Sequence, residues 1–247
     1  MTEEQNLLTK DVDGIRHLVL NRPEKINAID YAQHLRLMQA FQSAEEDQRV
    51  KVVALSGVGR GFCAGDDLTA QPFEGHDPFA HRKVELEIGS GPTLLLDSCA
   101  VLRNLSKPTV ALMHGIALGS GYDYSLSCDF RVVTKDIRFG DPRIDRALWA
   151  AEGWSYKLPR LVGQSLVARI AYLGEIMNGE RAMEFGLAHR IVSGEPNIIE
   201  SSQPFLDELV ELSGPAYAAT KRNMLAGLDA TFEQSLAMSM ESAYEVT

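Results

Sequence analysis

The chain has 247 residues, 45% hydrophobic and 23% charged, with a formal net charge of -10. That length can bury one large core, and the acidic balance argues against a nucleic-acid or anionic-membrane surface, which needs clustered Lys and Arg. Cys63, Cys99 and Cys128 form no even set and no metal-like spacing, and the start Met1-Thr2-Glu3-Glu4-Gln5 lacks the pattern of a signal peptide. A soluble cytoplasmic protein with no disulfide framework, metal or membrane span is expected.

Taken in chain order, residues 15–20 and 52–56 are β-branched and apolar runs that predict strands, with an amphipathic helix over 32–46 between them. Residues 69–91 mix Pro72, Gly75, Pro78, Gly89 and Gly91 with Phe73, His76, Phe79 and His81. They read as a loop with a helical piece, where pocket walls often lie. Next come a strand over 109–113, a glycine-bearing turn over 115–121, a helix over 123–127 and a strand over 130–134. Beyond Gly163 the pattern turns helical at 166–173, 181–185, 204–212, 216–225 and 231–244, with a short strand at 189–192. In the last helix Phe232, Leu236, Met240 and Tyr244 recur at helical spacing, so that face should be buried, on the chain's own core or on a neighbouring subunit.

Two glycine-containing segments follow predicted strands: Gly61-Phe62-Cys63-Ala64-Gly65-Asp66-Asp67-Leu68 and His114-Gly115-Ile116-Ala117-Leu118-Gly119-Ser120-Gly121. Each places freed N–H groups near a helix start, where the dipole helps them stabilise an anion without a charged side chain. Glycines also simply permit tight turns, so either segment alone says little. Competing motifs fail. Residues 57–62 lack the third glycine of a dinucleotide fingerprint, no phosphate loop is present, and Ser120 lies outside a Gly-x-Ser-x-Gly elbow.

The two segments belong to an ordered series of landmarks. It runs Leu20-Asn21-Arg22-Pro23-Glu24-Lys25-Ile26-Asn27-Ala28, the Gly61 segment, Lys107-Pro108, the His114 segment, Cys128-Asp129, Phe139-Gly140, Leu158-Pro159-Arg160-Leu161-Val162-Gly163 and Ala182-x-x-x-Gly186-Leu187. In this order the series resembles the enoyl-CoA hydratase/isomerase family, the crotonase superfamily, over nearly the whole chain. The resemblance implies an α/β fold, a spiral of ββα units over residues 1–195 with a helical C-terminal region over 196–247, assembled as a homotrimer or a dimer of trimers. It also implies an acyl-CoA substrate, with coenzyme A as part of the thioester and no tightly bound cofactor. The thioester carbonyl would accept hydrogen bonds from the N–H groups of Asp66 and Ser120, which favour an enolate over the neutral substrate. Arg22, Lys25, Ala28, Ala64, Asp67 and Leu68 would map to the CoA-binding surface, although Arg22 and Lys25 also read as ordinary charges in a turn.

Members that hydrate place two glutamates over the reacting carbons, and those positions here hold Asp123 and Arg143. Asp123 can move a proton but is one methylene shorter, and Arg143 stays protonated. Glu152, in the stretch Ala147-Leu148-Trp149-Ala150-Ala151-Glu152-Gly153-Trp154-Ser155-Tyr156, offers a replacement carboxylate. Arg143 could pair with Asp141, Asp145 or a substrate carboxylate. Trp149, Trp154 and Tyr156 either reshape the pocket or pack in the core. His76 and His81 read as surface residues and His114 as structural. The expected chemistry is hydratase/isomerase-type proton transfer through an enolate, with Asp123 and Glu152 as proton carriers. The alternatives are hydrolysis of a β-dicarbonyl carbon-carbon bond and a non-catalytic acyl-CoA-binding subunit.

Overall fold

The computed structural model describes residues 6–70, 94–148 and 154–246. Strands β1 (Leu7–Val12) and β2 (Ile15–Leu20) form an antiparallel hairpin around Asp13-Gly14, whose φ angles of 49° and 83° suit a tight two-residue turn. Helix α1 (Tyr31–Glu46) opens at Asp30, whose carboxylate accepts from Gln33 N–H at 2.9 Å, and leads into β3 (Val52–Gly57), parallel to β2. Helix α2 (Leu94–Asn104) and strand β4 (Thr109–Met113) follow, then β5 (Ile116–Leu118), α3 (Ser120–Ser127), β6 (Phe130–Thr134) and β7 (Arg138–Gly140).

After β7 the chain is mainly helical: α4 (Trp154–Val167), α5 (Gly179–Glu184), strand β8 (Arg190–Val192), α6 (Ile198–Val210), α7 (Gly214–Gly227) and α8 (Phe232–Val246). The main sheet has the order β1-β2-β3-β4-β6-β8, and β5 pairs separately with β7. Among the described residues no helix is long and apolar enough to cross a membrane.

Side chains alternate across the pleat, which gives the sheet two buried faces. Leu18, Leu20, Val53, Leu55, Ala111 and Met113 pack with Leu37 and Phe41 of α1 and Leu102 of α2. Ile15, Val52, Ala54, Val110, Leu112 and Val132 face Ile198, Leu206 and Leu209 of α6.

Several element boundaries depart from the sequence expectation for local reasons. The segment read as a turn over 115–121 contains the short strand β5 and already enters α3 at Ser120. Helix α6 starts at the Asn197 cap, with Pro204 inside it rather than at its start. The helix expected over 166–173 begins earlier, at Trp154. It is kinked at Gly163, whose φ of 74° breaks the helical path, and continues as a π-type turn over 168–172. On α8, Phe232, Leu236 and Met240 are 77%, 52% and 60% exposed, so within one chain the apolar stripe has no cover from the described residues.

His189 joins β6 to the segment ahead of β8: its Nδ1 accepts from Arg131 N–H at 3.2 Å. Burial, then the charges of Arg131 and Arg190, push its pKa down to about 4. The folded protein therefore binds fewer protons than the unfolded chain below the ordinary histidine value of about 6.5. Stability should fall as pH drops from about 6.5 towards 4, with no further loss from this group below that window. Urea unfolding at pH 7 and pH 5 should show a smaller pH dependence in His189→Asn, whose amide oxygen can replace the Nδ1 acceptor.

Candidate active site

The two glycine segments lie side by side. Cys63 N–H donates to Ile116 O at 2.9 Å and Leu118 N–H to Cys63 O at 3.0 Å, so residues 62–66 run alongside β5. On the opposite edge Ile29 N–H donates to Gly65 O at 2.9 Å and Asp67 N–H to Ile29 O at 2.8 Å. By the alternation of a parallel ladder, the Asp66 N–H then points away from Ile29, to the side where α3 begins. Ser120 is the first residue of α3 and offers one of the N–H groups that a helix leaves without an internal acceptor. The Gly65 and Ser120 backbones approach so closely that a Cβ on Gly65 would stand 3.6 Å from Ser120 N.

Cys63 holds these segments together. Its buried sulfur accepts from Gly65 N–H at 3.4 Å, and Gly121 packs so closely against the residue that an added Cβ would stand 2.7 Å from Cys63 Cβ and from Cys63 O. Burial pushes the thiol up to about 12, so it stays protonated and is no nucleophile at neutral pH.

Helix α3 is wholly buried and polarised by its surroundings. The Arg131 guanidinium donates to the Ser125 and Cys128 carbonyls near its C-terminus at 3.1 and 2.8 Å, complementing the negative end of the dipole. In its first turn Asp123 is fully buried and meets Arg143 at 2.8 Å. Arg143 also binds Asp141, with its Nε and Nη2 both reaching the carboxylate. Arg143 thus unites Asp123 and Asp141 in one buried cluster.

The Asp66 side chain adds a group that reasoning from the glycines alone did not assign. Its Oδ1 accepts from Ser120 Oγ at 2.5 Å and lies 3.2 Å from His34 Nε2, while 36% of the side chain stays open. Behind it, His34 Nδ1 is 2.6 Å from Tyr124 Oη, and Tyr124 Oη is 2.7 Å from Ser98 Oγ. Burial alone would raise the Asp66 pKa, but the hydrogen bonds from His34 and Ser120 and the charge of Arg143 hold it below the usual carboxylate range. The doublet Asp66-Asp67 carries the available sequence signal, since only one of the two is used to brace the turn.

That one is Asp67. Its buried carboxylate accepts from Arg22 Nη2 at 2.8 Å and Lys25 Nζ at 2.7 Å. Arg22 also reaches Ala28 O at 2.8 Å and Asp30 at 3.1 Å, which makes its guanidinium a brace between the 22–30 turn and Asp67. Lys25, Ala64 and Leu68 keep exposed surface on the same side, and Ala28 is half-buried. Trp154 packs edge-on to Tyr122 at 6.2 Å against the core, Tyr156 binds Asp229 at 2.7 Å, and His114 Nε2 reaches Gly59 O at 2.9 Å. Glu152, Trp149, His76 and His81 lie outside the described residues.

A mostly parallel sheet feeding paired glycine turns onto the start of a buried helix defines a crotonase-fold protein. Residues 10–247 match the enoyl-CoA hydratase/isomerase family model, and the chain belongs to that family. It is 32% identical over 223 residues to the probable enoyl-CoA hydratase EchA12 of Mycobacterium tuberculosis, covering 87% of this chain and 75% of the relative. It is 28% identical to the mitochondrial Delta(3,5)-Delta(2,4)-dienoyl-CoA isomerase of Mus musculus, covering 90% of this chain and 69% of that protein. Among solved structures, Pseudomonas aeruginosa PA4980 superposes with a TM-score of 0.83 at 34% identity, covering 97% of this chain and 99% of that one.

Proposed function

We propose that this enzyme moves protons on an unsaturated acyl-CoA through an enolate, as a hydratase or isomerase. The observation that carries this reading is the convergence of the Asp66 segment on the open N-terminus of α3. A thioester oxygen held by the Asp66 and Ser120 N–H groups gains negative charge as the enolate forms, so both hydrogen bonds strengthen towards the transition state. A lost donor of this kind typically costs about 3 kcal/mol of activation energy. The start of α3 lends its positive dipole end to the same point, and Arg131 favours the opposite polarity at the far end.

In this reading Asp123 and Glu152 carry protons. Arg143 keeps the Asp123 carboxylate oriented and cannot itself accept a proton. The CoA moiety lies along Lys25, Ala28, Ala64, Asp67 and Leu68, with Arg22 bracing that surface. Coenzyme A arrives as part of the substrate, and no resident cofactor is required. The exposed stripe of α8 is covered by neighbouring copies in a trimer or dimer of trimers, and the reaction belongs in the cytoplasm.

Mass spectrometry on a panel of enoyl-CoA and 3-hydroxyacyl-CoA thioesters and β-dicarbonyl substrates tests the reading. Gain or loss of one water, or a chromatographic shift at constant mass, is the expected result. Asp123→Asn should lower that turnover by about 10²-fold or more with acyl-CoA affinity retained. Binding without turnover across the panel would identify a non-catalytic subunit, and cleavage confined to β-dicarbonyl substrates would identify a carbon-carbon hydrolase. Either outcome overturns the proposal.

A further inference from the structure

Proton transfer across an enoyl or dienoyl system can use one group at the α-carbon and others further along the chain. Asp123 and Glu152 carry protons in the reading above, neither is assigned to the α-carbon, and Arg143 cannot serve there. We propose that the Asp66 carboxylate is the α-carbon base of this enzyme, with His34 as its positioning residue. This inference rests on the enolate reading above and assigns a side-chain role to a residue so far used only for its backbone.

Geometry favours Asp66. Its N–H belongs to the proposed hole, and the α-carbon of a thioester lies only two bonds from the oxygen held there, so the reacting C–H falls close to the same residue's side chain. The carboxylate is drawn to that spot by Ser120 Oγ at 2.5 Å, and Ser120 supplies the second N–H. More than a third of the Asp66 side chain is open at 36%, whereas Asp123 is fully buried. The charge of Arg143 acts on Asp66, which places both in the same electrostatic neighbourhood.

Electrostatics points the same way. A spectator carboxylate next to the hole would repel the enolate oxygen and oppose the reaction. A carboxylate that takes the proton loses its charge as the oxygen gains one. An Asp66 oxygen lone pair forms the O–H bond, the α C–H bond breaks, and its electron pair moves onto the thioester oxygen. The negative charge is transferred and not doubled, and return of the proton restores Asp66.

The groups behind Asp66 fix it in the accepting form. Burial raises the Tyr124 hydroxyl well above its usual range, so it stays protonated. With a neutral imidazole, Ser98 donates to Tyr124, Tyr124 to His34 Nδ1, and His34 Nε2–H to Asp66 Oδ1. The acceptor-only Asp66 carboxylate holds the His34 proton on Nε2, and Tyr124 supports that tautomer by donating to Nδ1.

Exchange of the α-hydrogens of butyryl-CoA in D2O, read by mass, tests this without knowledge of the natural product. Wild type should exchange, and Asp66→Asn, which keeps the backbone donor, should exchange about 10²-fold or more slowly with CoA-ligand affinity retained. In Tyr124→Phe the donor that holds His34 Nδ1 is lost, the hydrogen bond to Asp66 weakens, and the acid limb of the exchange profile should move to higher pH. This variant carries the test if Asp66→Asn does not fold. Exchange at the wild-type rate in Asp66→Asn, or an unmoved acid limb in Tyr124→Phe, overturns the role of Asp66 and leaves the enolate reading standing. Absence of exchange in wild type removes both.

Discussion

Replacing Arg143 with methionine should cost the fold about 3–5 kcal/mol, the range for removing one partner of a buried ion pair. The cause is specific. Asp123 is fully buried, Asp141 nearly so, and Arg143 joins both at 2.8 and 2.6 Å. Methionine fills much of the volume but leaves two carboxylates close together without the intervening cation. Urea unfolding should show the loss as a lower midpoint at unchanged slope. Adding Asp123→Asn to Arg143→Met should recover part of it, because one of the stranded charges is gone. Additive destabilisation in the double variant would show that the cluster contributes packing alone. The same measurement bears on mechanism: if Arg143 is held by structure, it acts as a strut for Asp123 and not as a group that touches substrate.

Gly115→Ala should be nearly as damaging to stability and more damaging to turnover. Gly115 has φ of 59°, and a Cβ there would sit 2.0 Å from Arg60 O and 3.0 Å from Gly61 Cα. Gly61 is constrained from the other side, since its own Cβ would fall 2.8 Å from Ile116 N. The left-handed backbone costs about 1–2 kcal/mol for alanine, and overpacking against main-chain atoms adds about 1–3 kcal/mol. Together these should lower the melting temperature by about 5–15 °C at this chain length. Because backbone cannot rotate away as a side chain can, the chain must part where the two segments cross, which shifts Asp66 N–H relative to Ser120 N–H. A variant that melts early yet turns over normally when folded would show that the crossing does not set the site.

Strands β2, β3, β4 and β6 were legible because each is an apolar run buried on two faces, and α1 because its apolar stripe recurs at helical spacing. β1 escapes the same criterion: its Thr9, Lys10 and Asp11 face outward at a sheet edge, and only the Asp13-Gly14 pair marks the hairpin. β5 and β7 hold three residues each, too few for periodicity to register. The backbone part of the candidate site was readable because glycine patterns report where chains must come close. Its side-chain part was not. His34 and Asp66 are 32 residues apart and Asp123 and Arg143 are 20 apart, and no spacing rule joins such pairs. The sequence offered Asp141, Asp145 or a substrate as partners for Arg143; folding selects Asp141 and adds Asp123, because β7 delivers the 141–143 turn to the start of α3.

Cys63 meets the amide of Gly65 through its sulfur and the Gly121 backbone through its Cβ and carbonyl, and each of those glycines is one residue from a proposed oxygen-binding amide. The spacing of those two amides is therefore gauged by a single residue. A change of side-chain size at residue 63 would reset the distance between the two proposed donors directly.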